Sequence, residues 1–578
     1  MIGLLVIASL TLQAQHYIRG EVLDKHGDKL QNVKITSVRT KNVYRSDIYG
    51  GFGFPSSVEK DTLLFTTDGF ESLRMPVSAH DFVSAALKTL SMYTIRRKEQ
   101  VNATSYQYKQ HQFKTFQEKD ESYSSIYENN FILSQYVPEI RFGANSNRAA
   151  YSNVRRLINE MEGALPPHAV RIEELLNYFQ FFDYSPGGDS TFSVHTQRSS
   201  CPWQPNNQLL FVNLQAKKIQ PKERKPTNLV LLIDISGSME MPNKLPLIKA
   251  GLQMLIKNLQ STDTISLVTY GANVQLVFEG ISGSNQKFLK EAIAALNAGG
   301  PTPGESAIRL AFQVARRRYF KNGNNRILMA ADGDFNVGMT TEKQLESLIL
   351  QQKESGIYLS CIGVGIGNYK DSKLAILAKK GNGSFAYIDT EQEAEKVMVT
   401  DLLHTLFTVA DDVQILANFS ATQTKAYRLI GFDNEIYQFK DSCAILEGGD
   451  IGSGHSVTAI FEIAPSTNMV SDNSPFANIE ISFQLPGDTN HLSIKHFVQN
   501  PLMPFESIDP GYRKSAVLAL FGMKLRKSGY AAGVKWGTLQ KMAHHEFDKN
   551  NTMEKELIAL IHLAKKLYTH PRRFDSGY

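Results

Sequence analysis

Residues 228–239 read NLVLLIDISGSM: an apolar, strand-like run that ends in Asp234, Ser236 and Ser238 at alternate positions. A carboxylate and two hydroxyls leaving the carboxyl end of a buried strand are hard oxygen donors of the kind that suit Mg²⁺ or Mn²⁺. One short loop supplies only part of an octahedral shell, so the remaining donors must come from elsewhere. A second apolar strand, 327–331, ends in Asp332, and the turn-rich loop AGGPTPGES between the two carries Thr302. In a doubly wound sheet ligands collect in the crevice beyond the carboxyl ends of the strands, where these three segments would converge.

Taken singly, each element has an ordinary reading. An aspartate and two serines after a strand also serve as a helix N-cap and turn, their oxygens satisfying backbone amides. The order D-x-S-x-S, loop threonine, strand-end aspartate nevertheless resembles the metal-ion-dependent adhesion site of the von Willebrand factor A (VWA) family. That resemblance implies Ser236, Ser238 and Thr302 as direct hydroxyl ligands, Asp234 and Asp332 as direct or water-mediated ones, and a carboxylate of a protein partner in the last coordination position. Thr302 stands between Pro301 and Pro303, with Ser306 as a nearby rival hydroxyl; Asp334, the next carboxylate, reads as an exposed turn residue. The stretch GGPTPGES at 299–306 mimics a P-loop, but Glu305 occupies the place of the phosphate-binding lysine and a helical segment precedes it, which excludes nucleotide.

These residues need an α/β frame, and the flanking pattern supplies one. Apolar periodicity predicts helices at 245–259 (stripe Leu245, Ile248, Leu252, Leu255, Ile256, Leu259), 286–296, 307–319, 341–353, 371–379 and 392–407, alternating with strands at 264–270, 274–278, 327–331, 357–364 and 385–388 in the manner of a parallel sheet. The expected fold class is therefore multidomain, with a central doubly wound α/β VWA domain at 223–410. Residues 16–93 resemble the carboxypeptidase-regulatory-like β-sandwich, through Gly20, Val22, Asp24, Gly27, Leu30 and Val33, then Asp47, Gly50 and Phe52; that domain implies a non-catalytic spacer. The polar stretch 94–125 reads as a linker. Residues 126–222 form an expected VWA-preceding domain of helix and strands; its Tyr151, Arg155, Pro166, Pro167, Arg171, Glu173, Glu174 and Tyr178 resemble the bacterial YfbK-like group, although IRFGANSNRA at 140–149 lacks that group's acidic pair. Its stripe Ile172, Leu175, Leu176 and Phe179 reads as core. A β-rich flanking domain is expected at 411–509, joined by the strands of 190–215, and helices at 510–578.

Residues 1–15, MIGLLVIASLTLQAQ, are too short an apolar run for a confident membrane span and suit a signal peptide, with an uncleaved anchor as the alternative; the run lacks a basic n-region, which leaves open a start further upstream. The expected location is the periplasm or cell surface, with association to the envelope. Cys201, Cys361 and Cys443 are too few and scattered for a disulfide scaffold or zinc site, a Cys201–Cys443 bridge in an oxidising compartment staying open. A net charge of +5 over 578 residues gives no case for nucleic acid. His544, His545 and Glu546 are adjacent, which fails the H-E-x-x-H geometry, and no nucleophile–base pair can be assembled. Two functional readings follow: an exported module that ligates an acidic side chain of a protein partner through Mg²⁺ or Mn²⁺, or an envelope-assembly protein whose metal site is an internal clamp filled by its own carboxylate.

Overall fold

The structure is a computed structural model that describes residues 16–88, 121–333, 349, 356–433 and 448–569, apart from short interior stretches at 25–26, 48, 68–69, 122, 125, 145–146, 161–163, 220–223, 301–303, 366–370, 402–406, 467–474, 487 and 489. The expected leader 1–15, most of the linker 94–125, Thr302, Asp334, Cys443 and all of the expected helix 341–353 except Ile349 lie outside the described residues.

The central sheet is made of β1 (Thr227–Asp234), β2 (Thr264–Tyr270), β3 (Val274–Ser282), β4 (Asn324–Ala331), β5 (Tyr358–Val364) and β6 (Phe385–Ile388), in spatial order β3-β2-β1-β4-β5-β6. Every residue of β1 is buried, because helices cover both faces. Leu229, Leu231 and Ile233 face one cluster with Ile248, Leu252 and Leu255 of α1 (Leu245–Lys257); Val230 and Leu232 face another with Ile308, Ala311 and Phe312 of a helix at Gly304–Arg317. With the helix Gln286–Ala294 as α2, Gly304–Arg317 is α3; α4 (Asp371–Lys380) and α5 (Glu391–Glu395) follow. The expected parallel pattern holds except at one edge. Only three residues separate β2 from β3, too few for a crossover, so β3 returns antiparallel. The expected helix 392–407 is shorter in its α-form: after α5 the chain continues in wider, π-type turns over Lys396–Asp401.

Residues 16–87 form a sandwich of two sheets, Gly51–Ser56, His16–Asp24 and Phe82–Leu87 against Val43–Arg45, Lys34–Ser37, Lys60–Thr66 and Leu73–Ser78. The motif aspartates close turns as their type predicts: Asp24 Oδ1 accepts the Asp28 amide at 3.0 Å, and Asp47 Oδ1 accepts those of Tyr49 and Gly51, each at 2.8 Å. Arg317 of α3 meets Asp24 at 3.5 Å and Glu279 of β3 at 3.0 Å, tying the sandwich to the central domain.

The segments before and after the central domain do not fold apart. One six-stranded sheet runs Leu502–Met503, Phe192–Ser200, Gln208–Ala216, Ser456–Pro465, Thr424–Ile430, Ile132–Leu133. In the facing sheet Glu139–Gly143 pairs with Thr408–Phe419, which also pairs with Gly449–Gly452 and Ala477–Gln484. The two sheets enclose Phe142, Val212, Ile415, Phe419 and Phe461. The expected joining of 411–509 by strands of 190–215 is seen in the pairing of Gln208–Ala216 with Ser456–Pro465, and the strand Thr408–Phe419 runs through the expected boundary at 410. Hydrophobicity marks strands but not their partners, and these partners lie some 240–305 residues apart, as Ile415 opposite Phe142 illustrates. Helices Ala149–Glu160, Ile172–Tyr178, Pro510–Arg526, Trp536–Glu546 and Thr552–Thr569 share a core that includes Leu175, Phe179, Phe521 and Ile561, so the 172–179 stripe is core. Among the described residues no helix is long and apolar enough to cross a membrane.

Candidate metal centre at the carboxyl edge of the central sheet

β1 delivers Asp234, fully buried, to the sheet edge. One residue beyond, the Ile235 amide still bonds Tyr270 O at 2.7 Å, so the chain leaves the sheet under restraint. Asp234 Oδ1 accepts the Ser236 amide at 2.8 Å and closes the turn. Ser236 stands at the N-cap position of the short 3₁₀ turn Gly237–Glu240, yet its side chain makes no capping bond; its Oγ lies 3.1 Å from Ser238 Oγ. The capping role available to any such serine is therefore not taken. Two oxygens in adjacent positions of an octahedral Mg²⁺ shell, at bonds of about 2.1 Å, stand roughly 3 Å apart. The serine pair has that spacing.

The loop carrying Thr302 is stitched to the same place. Gly299 donates to Ile235 O at 2.7 Å, Gly237 donates to Gly300 O at 3.0 Å, and Ala272 donates to Gly299 O at 3.0 Å. Gly300 has φ +88°, and a Cβ there would lie 2.2 Å from Ala272 Cα, so only glycine permits this approach. Thr302 follows two residues later. The rival Ser306 sits in the first turn of α3, and Glu305, the residue that spoils the P-loop pattern, pairs with Arg309 at 3.0 Å along that helix.

Asp332 comes directly off the end of β4, 2% exposed. Its Oδ2 accepts from Lys244 Nζ at 2.9 Å, and Lys244 is itself only 4% exposed. Sequence reasoning missed this lysine. The available signal was a charged residue immediately before the apolar stripe of α1, a position at the sheet edge once α1 follows β1. Burial, then the like charge of Asp332, pushes the Asp234 carboxyl up to about 7. The buried Tyr270 hydroxyl also faces this carboxyl. Ser238 is exposed, so the acidic floor has a hydroxyl rim open to solvent. Among the described residues no group of three or more His, Cys, Asp or Glu is placed to hold a metal. The donor set here, two carboxylates and hydroxyls, fits a hard cation and not zinc.

A second constellation explains the residues singled out before the central domain. Arg155 Nη2 pairs with Asp389 Oδ1 at 2.5 Å and Glu393 Oε2 at 2.8 Å, while Nη1 reaches Glu556 at 2.9 Å. Tyr178 stacks on Tyr151 with centroids 4.2 Å apart and donates to Glu393 at 2.6 Å. Arg171 pairs with Glu174, whose other oxygen accepts the Ala150 amide at 2.9 Å; Glu173 accepts the Phe432 amide at 3.0 Å. Beyond α5, Asp401 is gripped by Arg148 and Lys396, each at 2.8 Å, which hold its carboxyl at about 2 against the upward pull of burial. These groups fasten α5 and the turns after it to the flanking helices. Cys361 is buried in β5 and burial pushes its thiol up, as for a core residue; burial and Glu462 push Cys201 up to about 12.

Comparison with known proteins agrees with this layout. Residues 228–402 match the family described as von Willebrand factor type A domain, residues 117–211 that described as von Willebrand factor, and residues 404–567 that described as Uncharacterized protein YfbK, C-terminal. The chain is 34% identical to the Uncharacterized protein YfbK of Escherichia coli over 456 residues, 74% of this chain and 78% of that protein. It is 27% identical to the Uncharacterized protein sll0103 of Synechocystis over 186 residues, 32% of this chain and 43% of that one. Among solved structures, the von Willebrand factor type A protein from Catenulispora acidiphila is 14% identical, with a TM-score of 0.42 over 66% of this chain and 91% of that one. The conserved hypothetical protein BatB from Bacteroides thetaiotaomicron is 16% identical, with a TM-score of 0.26 over 31% and 97%. With a VWA domain at its centre and its flanking strands and helices in the arrangement just described, the chain belongs to the YfbK family of von Willebrand factor type A proteins.

Proposed function

We propose that this chain is an exported protein-binding module rather than an enzyme, and that Asp234, Ser236, Ser238, Thr302 and Asp332 hold Mg²⁺ or Mn²⁺ for the ligation of an acidic side chain of a protein partner. A bound cation supplies a hard, positively charged coordination position that accepts a carboxylate oxygen. The chain's own groups do the rest: Asp234 and Asp332 form the buried acidic floor, Ser236 lies buried with Ser238 exposed at the rim, and Thr302 follows in sequence the 299–300 backbone that is bonded to the same turn. The observation that carries the reading is the Ser236 Oγ to Ser238 Oγ spacing of 3.1 Å on the turn that the buried Asp234 carboxylate closes. Export rests on the apolar leader at 1–15.

Calorimetric titration of Mg²⁺ and Mn²⁺ into the chelator-stripped full chain, wild type beside Asp234→Ala, tests the site. Saturable binding that the substitution removes is the expected result; no saturable binding to the wild type or to any variant of the site overturns it.

A further inference from the structure

The candidate site contains a cation of its own. Lys244 brings its ammonium to 2.9 Å from Asp332 Oδ2 at 4% exposure, although a lysine is among the residues least often buried. Its course is specified at both ends. At the backbone, the Lys244 amide bonds Met241 O at 2.9 Å and its carbonyl accepts the Ile248 amide at 3.0 Å, fixing the residue at the head of α1. Along the stem, Gly365 just past β5 leaves the needed groove: a Cβ there would lie 2.4 Å from Lys244 Cε and 3.0 Å from Cδ and Cγ. Gly365 has φ +89°, and its carbonyl accepts the Tyr387 hydroxyl at 2.6 Å, which holds that backbone in place. Three segments of the fold thus cooperate to lay one lysine into the acidic crevice.

We propose that Lys244 is a tethered competitor of the divalent cation: its ammonium occupies Asp332 in the metal-free protein and sets how tightly the site takes Mg²⁺ or Mn²⁺. The inference rests on the metal-site reading above and adds its regulation. With Asp234 and Asp332 ionised, Lys244 leaves the crevice one net negative charge instead of two. A divalent ion entering it must displace or tolerate a positive charge held on the same carboxylate. Unit charges a few ångströms apart interact appreciably even when partly solvated. Neutralising the lysine therefore raises affinity, and a positive residue of another shape at 244 keeps it low. The site is in this way tuned to load only where divalent cation is abundant.

The test titrates Mg²⁺ and Mn²⁺ by calorimetry into the chelator-stripped full chain carrying Lys244→Met, Lys244→Gln or Lys244→Arg, with circular dichroism confirming that each variant is folded. The expected result is a Kd about tenfold lower or more in the neutral variants that fold, with Lys244→Arg staying near the wild type. Binding by a neutral variant where the wild type shows none supports the proposal in its strongest form. Equal affinity in wild type and neutral variants overturns the competitor while leaving the metal site standing, as does weaker binding in the neutral variants. Saturable binding in no variant overturns both.

Discussion

Arg155 is the residue whose removal tests how the central domain is held by its surroundings. It is 10% exposed at the side chain and satisfies Asp389 and Glu393, whose side chains are 9% and 3% exposed; its third partner, Glu556, is 41% exposed. The Glu556 pair is screened by solvent and contributes little, below about 1 kcal/mol. The other two carboxylates are a different matter. In Arg155→Met both stay buried without that guanidinium, Glu393 keeping the Tyr178 hydroxyl and the nearby Lys396, and breaking a buried pair from one side costs about 3–5 kcal/mol. This loss falls on the contact between the helix Ala149–Glu160 and the α5 segment, so it reads out locally as easier opening of residues 391–401. Amide hydrogen exchange of that segment should accelerate by roughly two to three and a half powers of ten, at about 1.4 kcal/mol per tenfold. Adding Glu393→Gln to Arg155→Met removes one stranded charge and should recover part of the protection, a coupling that a double-mutant cycle isolates. Less than tenfold faster exchange in Arg155→Met, or strict additivity in the cycle, would refute the reasoning that these charges clamp α5.

Three further outcomes follow from other parts of the molecule. Because burial and Asp332 raise the Asp234 carboxyl to about 7, the metal-free site holds a proton below that pH, and cation binding must release it; the apparent Kd for Mg²⁺ should rise with falling pH below about 7 and level off above it, which calorimetry from pH 5 to 8 checks. Glu173 is raised from 4.5 to about 7 by burial and by Asp433, so the folded state holds its proton more tightly than the unfolded one: this contribution to stability is full below about 4.5 and is lost as pH rises through 7. Glu173→Gln should flatten that part of the urea-denaturation profile and be the more stable protein at pH 8, and a variant with an unchanged slope would contradict it. Gly300→Ala places a Cβ 2.2 Å from Ala272 Cα at φ +88° and should push the Thr302 loop off Gly237; metal affinity should fall with the central domain still folded, and unchanged affinity would show that the loop contributes no ligand.

What could be read from the chain alone follows from how local each determinant is. The central strands declared themselves because β1 is buried on both faces and so reads as an unbroken apolar run, and α1 because its stripe covers one of those faces. D-x-S-x-S could be read as chemistry because its geometry is set within five residues, from the Asp234 turn to the serine pair. The reversed β3 is a matter of counting connection length, and three residues between strands could have announced it. The strands of 190–215 could be assigned to the flanking β-rich region, but individual pairings could not, since Ile415 meets Phe142 across an entire domain and each strand alone is compatible with many partners. Lys244 and Arg155 fall between these cases. Lys244 is visible as a charge just before the apolar stripe of α1, and Arg155 as a charge on a helix that also carries Leu157 and Ile158; burial of either is disfavoured unless a partner waits in the fold. In both the partner is a carboxylate at a strand end of the central sheet, Asp332 after β4 and Asp389 after β6. The same edge therefore binds charge twice, once in a crevice with an exposed hydroxyl rim and once under the flanking helices. That difference in cover, and not in residue type, makes the first a candidate site and the second a fastening.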